Sequence, residues 1–356
     1  MESTPEDTLD PTGPAAEAGA DAGAEAGTDT AAEPVQADGQ VHPRSPTPVE
    51  PKPPRRSWAP SNLTLRLLTA AVLIPPVIWV CYEGGLTFVA VIIAINCVAV
   101  NEFYNFISEK GANPQRLLGT LGVAVIPLII YLGDAFLATS FLTAVLLTTM
   151  VLQLTKREMR EAISSVSATF FGVFYVGWLL SHAVSIRFIY DFLVRRYPGQ
   201  AESLIAPEVG FFFMILCLVS ALGCDVAAYF VGRAFGRHRL APVISPSKSV
   251  EGAIGGVVIA GGFGVVTKLV FDNFVPGHLS AHFGIGAAAA FGVALAAVGI
   301  LGDLVESALK RDAQLKDAGR LLPGVGGVLD RIDSALLAFP VMYYLLLAYY
   351  YFRFST

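Results

Sequence analysis

Residues 307–334 read "SALKRDAQLKDAGRLLPGVGGVLDRIDS" and contain nine charged side chains and four glycines. The stretch lies between two apolar runs, 283–302 and 335–352. Each run is close to the roughly 20 residues that a helix needs to cross a bilayer. The pattern indicates that two membrane-spanning helices meet at a polar site.

The rest of the chain has the same apolar character. Of the 356 residues, 54% are hydrophobic and only 15% are charged. This composition favours a polytopic membrane protein over a soluble domain. We therefore expect an all-α fold with about nine transmembrane helices and a cytosol-facing polar site. The expected spans are 67–82, 86–107, 117–133, 135–154, 166–186, 210–231, 253–271, 283–302 and 335–352.

Residues 1–60 form a separate segment in composition. They hold eleven acidic and four basic residues and almost no large apolar side chains. Such a segment cannot bury enough surface to offset the entropy of ordering. We expect a disordered, acidic, Pro-rich cytosolic tail that acts as a linker or a recruitment arm, followed by a transmembrane domain over 61–356.

Lysine and arginine predict the orientation of the spans. If the N-terminus is cytosolic, the inside loops carry fourteen of these residues, and the outside loops with the C-terminal tail carry four. Basic residues concentrate on the cytosolic side of membrane proteins. The loops 232–252 and 303–334, which are rich in charge, are therefore expected to face the cytosol.

Acidic residues lie at several helix ends near this face. A charge inside hydrocarbon is costly, so Asp225 should face a polar cavity or a cation. Asp303, Glu306, Ser307 and Lys310 share one helical face. Helix-end electrostatics and ion pairs would explain such acids, and acids alone would suit a cation channel. Acids mixed with bases favour a phosphate ester held on Mg²⁺, which takes oxygen ligands.

Two glycine-rich segments support a phosphate site. In "GRLLPGVGGVLDR", Gly326 and Gly327 allow positive φ or close approach of a ligand, and a helix starting near Val328 would offer N–H groups to an anion. In "ISPSKSVEGAIGG", Lys248 is expected to contact phosphate, whereas the glycines mainly provide packing. Glu102, inside an apolar span, needs a partner, which an interhelical hydrogen bond could supply.

Taken together, these residues resemble the phosphatidate cytidylyltransferase family, the CDP-diacylglycerol synthases, over about 62–353. The family's C-terminal signature is matched at many spaced positions: Ser307, Lys310, Arg311, Lys316, Asp317, Gly319, Leu322, Pro323, Gly326, Gly327, Asp330, Arg331 and Asp333. Two positions depart from it. Val325 replaces the signature's histidine, and Ser247 replaces the first of two usual lysines.

The resemblance implies that CTP and phosphatidic acid react to give CDP-diacylglycerol and pyrophosphate, with Mg²⁺ as cofactor and with a second cation left open. It implies catalytic roles for Asp303, Asp330, Lys310 and Arg331. The substrate-binding residues implied are Asp225, Lys248, Glu251, Ser307, Arg311, Lys316, Asp317, Gly326, Gly327 and Asp333. The metal ligands implied are Asp303 and Asp330, with Asp225 and Glu306 beside them.

The expected setting is a bacterial-type inner membrane, crossed several times, with membrane lipids but no nucleic acid as partners. A homodimer is compatible with the sequence, which does not show the oligomeric state. Two alternatives stay open: a catalytically impaired family member, suggested by Val325, and a transporter of lipids or cations. A CDP-alcohol phosphotransferase is disfavoured because its acidic motif is absent from the sequence.

Overall fold

A computed structural model describes residues 62–156, 161–280, 282–314 and 326–355. These residues are almost entirely helical, and seven helical segments are long and apolar enough to cross a membrane. The chain is therefore an all-α polytopic membrane protein. Seven segments in the described part are long and apolar enough to span where nine were predicted. The other two predicted spans correspond to shorter apolar stretches, Val72–Glu83 within the first helix and Arg116–Leu132. The tail predicted over 1–60 lies outside the described residues.

Twelve α-helices follow one another along the described chain. They are α1 (Asn62–Glu83), α2 (Gly85–Ser108), α3 (Arg116–Leu132), α4 (Ala135–Leu154), α5 (Ala162–Gly172), α6 (Leu179–Arg187), α7 (Ile189–Arg196), α8 (Gln200–Leu204), α9 (Val209–Phe235), α10 (Val250–Phe274), α11 (Ile285–Asp312) and α12 (Leu329–Ser355). A π-helical segment, Val173–Trp178, joins α5 to α6, so the three form one span over Ala162–Arg187.

Local sequence signals set several helix ends. The Asp134 carboxylate accepts a hydrogen bond of 3.0 Å from the N–H of Leu137 and caps α4. The Ser249 hydroxyl does the same for α10, with the N–H of Gly252 at 3.1 Å. Both side chains satisfy N–H groups that a helix start leaves without partners. Gly133 ends α3 in the left-handed conformation, with φ of 73°, which favours glycine.

One β-hairpin departs from the predicted all-α fold. Strands β1 (Arg239–Ala241) and β2 (Ser245–Ser249) pair antiparallel between α9 and α10. The sequence did not predict them because strands of three and five residues carry too little alternation of apolar and polar residues to detect. The loop between the predicted spans 166–186 and 210–231 contains the short helices α7 and α8.

Helices α9 to α12 pack closely through small residues. A Cβ added at Gly256 of α10 would lie 2.9 Å from the Cβ of Ala228 in α9. A Cβ added at Gly302 of α11 would lie 2.6 Å from the backbone oxygen of Asp333 in α12. Small side chains at these crossings let the helix backbones approach one another. The packing role predicted for Gly256 is confirmed, and the Gly302 contact brings the acidic ends of α11 and α12 together.

The opposite end of the bundle is fixed by the buried side chain of Arg187. Its guanidinium donates to the backbone oxygens of Cys81 and Tyr82, at 2.7 and 3.0 Å, and to the Glu208 carboxylate at 2.8 Å. The last carbonyls of α1 thereby gain partners that the helix itself does not offer. Asp225, Asp303 and Asp330 lie toward the other end, where α9 and α11 finish and α10 and α12 begin.

Candidate active site

Lys310 joins two carboxylates from neighbouring helices. Its Nζ lies 2.5 Å from Glu306 Oε2, one turn earlier in α11, and 2.8 Å from Asp330 Oδ1 at the start of α12. The Glu306 side chain is only 1% exposed and that of Lys310 is 14% exposed. Removing one partner of a buried ion pair strongly destabilises the folded protein, because the other charge stays buried without compensation. Lys310 therefore holds the two helix ends together as well as compensating their charge.

The turn before α12 is shaped around Asp330. Gly326 has φ of 95°, as predicted for a glycine-dependent turn, and the N–H of Gly327 donates to Asp330 Oδ2 at 2.8 Å. A Cβ at Gly326 would also lie 2.9 Å from that same oxygen. Glycine is therefore required at 326 both for its backbone conformation and for the space beside Asp330. Helix α12 begins at Leu329, one residue after the predicted start.

The β-hairpin delivers a second lysine to α11. Lys248 on β2 forms an ion pair with Asp303, and the Ser307 hydroxyl donates to Asp303 Oδ1 at 3.2 Å. The side chains of Lys248 and Asp303 are 25% and 23% exposed. Both side chains are therefore partly accessible, as the phosphate contact predicted for Lys248 requires.

Ser334 organises two further carboxylates. Its hydroxyl donates to Asp225 Oδ2 at 3.0 Å, and its backbone N–H donates to Asp333 Oδ1 at 2.6 Å. Asp333 also interacts electrostatically with Asp225 and Asp303. Acids from α9, α11 and α12 therefore share one region. We call the following five residues the carboxylate cluster: Asp225, Asp303, Glu306, Asp330 and Asp333.

Some predicted substrate contacts are engaged in holding the hairpin. The Glu251 carboxylate accepts from the N–H of Arg237 at 3.0 Å and contacts Nδ1 of His238 at 2.6 Å. Arg311 Nε donates to the backbone oxygen of Ile244 at 3.2 Å. These bonds attach the hairpin to α10 and α11. Arg331 lies in the first turn of α12 and is exposed.

Six residues singled out from the sequence lie outside the described residues. They are Lys316, Asp317, Gly319, Leu322, Pro323 and Val325, all between the end of α11 and Gly326. Their predicted roles stay predictions.

Two residues near the cluster were not placed in it by the sequence. The Glu102 carboxylate accepts a hydrogen bond of 2.8 Å from the N–H of Leu329, which answers the predicted need for a partner. Tyr175 in the π-helical segment interacts electrostatically with Glu306, Asp333 and Asp303. Nothing in the sequence marks Tyr175, because it is one aromatic residue among many in an apolar run.

The carboxylate cluster fits a hard divalent cation in its donor chemistry. It offers five carboxylates against two ion-paired lysines, and Glu306 Oε1 is buried without a hydrogen-bond partner among the described residues. In the same part of the chain, no three His, Cys, Asp or Glu side chains are grouped so as to hold a metal by themselves. Mg²⁺ does not need such a cage, since it is commonly held by one or two carboxylates together with substrate phosphates and waters.

Comparison with known proteins identifies the family. The model of the Cytidylyltransferase family matches residues 64–349. The chain is 32% identical to the phosphatidate cytidylyltransferase of Synechocystis sp. over 298 residues, which cover 79% of this chain and 95% of that protein. It is 31% identical to that of Staphylococcus epidermidis over 287 residues, covering 80% of this chain and 99% of that protein.

A third relative is matched over a shorter region. The phosphatidate cytidylyltransferase of Haemophilus influenzae is 41% identical over 172 residues, or 47% of this chain and 58% of that protein. The resemblance inferred from the spaced motif around Lys310 and Asp330 is thus confirmed by matches that extend over most of the transmembrane region. The chain belongs to the cytidylyltransferase family.

Proposed function

We propose that this chain transfers the cytidylyl group of CTP to phosphatidic acid, giving CDP-diacylglycerol and pyrophosphate for phospholipid synthesis. The observation that carries the proposal is similarity to proteins named phosphatidate cytidylyltransferase over 95% and 99% of their lengths. The site supports it, because lysines and carboxylates gather at the ends of apolar helices. Such a location suits a reaction between a soluble nucleotide and a membrane lipid.

The reaction depends more on positioning the substrates and compensating their charge than on a strong base. An oxygen of the phosphatidic acid phosphate attacks the α-phosphorus of CTP. The bond from that phosphorus to the oxygen leading to the β-phosphate breaks, and pyrophosphate leaves with the electron pair. A phosphate monoester is largely ionised at neutral pH, so its oxygen is already nucleophilic. The main obstacle is the repulsion between two anions and the charge that develops on pyrophosphate.

Lys248 and Lys310 are the cations proposed to offset this charge. Each ammonium group can donate three hydrogen bonds and is now paired with carboxylates of the cluster. In our mechanism, bound phosphates take over part of these contacts, and the lysines hold the reacting groups in line. The other assigned contacts stay predictions: Asp225, Glu251, Ser307, Arg311, Lys316, Asp317, Gly326, Gly327, Arg331 and Asp333.

Asp303 and Asp330 are the proposed ligands of Mg²⁺, with Asp225 and Glu306 beside them. Asp303 and Asp330 belong to different helices. Asp303 forms an ion pair with Lys248, and Asp330 forms one with Lys310. When bound, Mg²⁺ would polarise phosphate oxygens and reduce the repulsion between the substrates. A second cation in this site stays a prediction.

We place the carboxylate cluster at the cytosolic face of a bacterial-type inner membrane. The fourteen-to-four distribution of lysine and arginine between inside and outside loops supports this orientation. Nine spans, counting the two shorter apolar helices, would put the N-terminus in the cytosol and the C-terminus outside. CTP would then reach the site from water, and phosphatidic acid would reach it from the adjoining leaflet.

The function is tested with purified full-length protein in lipid–detergent micelles. With radiolabelled CTP, phosphatidic acid and Mg²⁺, we expect labelled CDP-diacylglycerol and an equal amount of pyrophosphate. Leaving out either Mg²⁺ or phosphatidic acid should abolish the signal. Absence of lipid product from folded protein under all conditions would reject the enzyme and favour the alternatives, an impaired relative or a transporter. A homodimer stays a prediction, which sizing of the same sample would test.

A further inference from the structure

The π-helical segment Val173–Trp178 interrupts the membrane-spanning stretch Ala162–Arg187. It is the one π-helical stretch in the described ranges, and it lies between α5 and α6. Hydrogen bonds between residues i and i+5 alter which side chains point inward there, and such segments occur frequently at functional sites. This feature directs attention to Tyr175, the polar residue at its centre.

The Tyr175 hydroxyl is a buried donor with no partner among the described residues. The residue is 4% exposed, and its oxygen makes no hydrogen bond there. Most buried polar groups are hydrogen-bonded, because leaving one unpaired costs free energy. By contrast, the hydroxyl of Tyr104, which is also buried, donates to the backbone oxygen of Thr169 at 2.8 Å. Tyr175 therefore has capacity for a bond that the folded chain does not use.

Packing fixes where this hydroxyl lies. The Tyr175 ring stacks on Phe171, with centroids 5.3 Å apart and planes 3° from parallel. It also contacts Phe103 at 6.2 Å between centroids. Phe103 follows Glu102, whose carboxylate accepts from the first N–H of α12. The ring is therefore held by two aromatic neighbours, and one of them, Phe103, follows the residue that binds the start of α12.

The surroundings of Tyr175 are acidic. Glu306, Asp333 and Asp303 all act electrostatically on its phenol group. A neutral hydroxyl in such a place can donate a hydrogen bond without adding charge. An incoming ligand with anionic oxygens would be repelled by the carboxylates, so an uncharged hydrogen-bond donor among them would help to hold it.

We propose that the Tyr175 hydroxyl donates a hydrogen bond to a phosphate oxygen of a substrate bound at the carboxylate cluster. The proposal rests on the proposed function, which supplies two phosphate-bearing substrates. It adds to the site a residue from the N-terminal half of the chain. Because CTP and phosphatidic acid share this chemistry, their separate kinetics decide which of them Tyr175 contacts.

The test compares Tyr175→Phe with the matched control Tyr104→Phe. Each change removes one buried hydroxyl and keeps the ring. In Tyr175→Phe we expect kcat/KM for one substrate to fall about ten- to a hundredfold, the scale of one hydrogen bond to a charged group. Its thermal unfolding midpoint should stay the same or rise, since the hydroxyl lost had no partner. Tyr104→Phe should unfold at a lower temperature and keep its turnover per folded molecule.

Ligand binding separates this proposal from the proposed function. CTP and phosphatidic acid, each added alone to the solubilised protein, should raise the unfolding midpoint of the wild type. Tyr175→Phe should lose that rise for the one substrate whose kinetics it impairs. If the wild-type protein binds both ligands but makes no product, the proposed function is rejected. The ligand shifts of Tyr175→Phe would still test whether Tyr175 contacts a bound phosphate. Unchanged kinetics and unchanged ligand shifts in Tyr175→Phe would overturn the proposal, as would a loss of activity that follows a loss of stability.

Discussion

The carboxylate of Glu102 accepts a hydrogen bond of 2.8 Å from the backbone N–H of Leu329, a residue 227 positions further along the chain. Glu102 lies in α2 and is buried, and Leu329 is the first residue of α12. The bond satisfies one N–H that the helix start leaves free and places a negative charge at its positive end. Because Asp330 follows Leu329 directly, an N-terminal helix fixes the position of a predicted catalytic carboxylate.

This relationship predicts that Glu102 positions the site without touching substrate. Glu102→Ala removes the acceptor, and we expect turnover to fall about tenfold. The unfolding midpoint should also fall, because loss of a helix cap costs about 1 kcal/mol of stability. Glu102→Gln keeps an acceptor oxygen and should recover much of both. KM for the two substrates should change less than kcat, because the groups that bind them remain.

Glu109→Ala serves as the matched control for Glu102. Glu109 is an exposed acidic residue just after α2, and its loss should leave both measurements unchanged. Equal behaviour of the Ala and Gln variants at 102 would contradict a role through the hydrogen bond.

The shared cation Lys310 yields a second prediction. Lys310→Met leaves Glu306 and Asp330 without their common partner, which should cost about 3 kcal/mol or more in unfolding free energy. The double variant Lys310→Met/Glu306→Gln removes one of the stranded charges and should regain part of that loss. Turnover should stay low in both, because the phosphates would lack the ammonium group. Stability is followed by thermal unfolding and turnover by lipid product.

Lys110→Met provides the comparison for Lys310. Lys110 pairs with Asp312, but both side chains are well exposed, at 40% and 69%. Surface pairs contribute little to stability, so this variant should resemble the wild type. Full activity in Lys310→Met would exclude Lys310 from the chemistry.

Much of the site could be predicted because it is encoded over short distances. Four-residue spacing in a helix places Ser307 against Asp303 and Lys310 against Glu306, and both contacts are present. The positive φ of Gly326 follows from a glycine next to a helix start. Long apolar runs predict the helices for the same reason, since hydrophobic length is read directly from composition.

Other parts of the site depend on packing between distant segments. The bond from Ser334 to Asp225 spans 109 positions, and no local pattern encodes it. The bond from Leu329 to Glu102 is of the same kind; the sequence indicated only that Glu102 needed a partner. Lys248 was predicted as a phosphate contact, but its ion pair with Asp303 depends on a hairpin too short to detect. Helix crossings set these distances, and periodicity does not reveal them.

Orientation gives a third prediction, tested by labelling in intact cells. A cysteine introduced at Gln314, an exposed residue just after α11, should resist a membrane-impermeant thiol reagent added from outside. A cysteine at Glu202, exposed in α8 at the other end of the bundle, should react quickly. The parent protein gives the background from its four cysteines, three of which are buried. The reverse pattern of labelling would overturn the cytosolic assignment.

The last prediction concerns Asp303 and Asp330 as ligands of Mg²⁺. Replacement by Asn keeps the size of each side chain and one oxygen but removes the charge that attracts a cation. We expect Asp303→Asn and Asp330→Asn to lower turnover at least about a hundredfold, the scale of losing one preorganised electrostatic group. The Mg²⁺ concentration for half-maximal activity should rise, and excess Mg²⁺ should restore activity only in part, since the remaining carboxylates and phosphates still attract the ion.

Asp312→Asn is the control for this pair. Asp312 ends α11 and is exposed, and its partner Lys110 lies on the surface, so its loss should alter neither turnover nor Mg²⁺ dependence. Asp303→Asn also weakens the ion pair with Lys248 while leaving Ser307 an acceptor. Unfolding midpoints of all three variants must therefore be compared, so that a drop in activity is not a loss of folded protein. An active Asp303→Asn enzyme with unchanged Mg²⁺ dependence would remove Asp303 from the metal site and leave it the role of orienting Lys248.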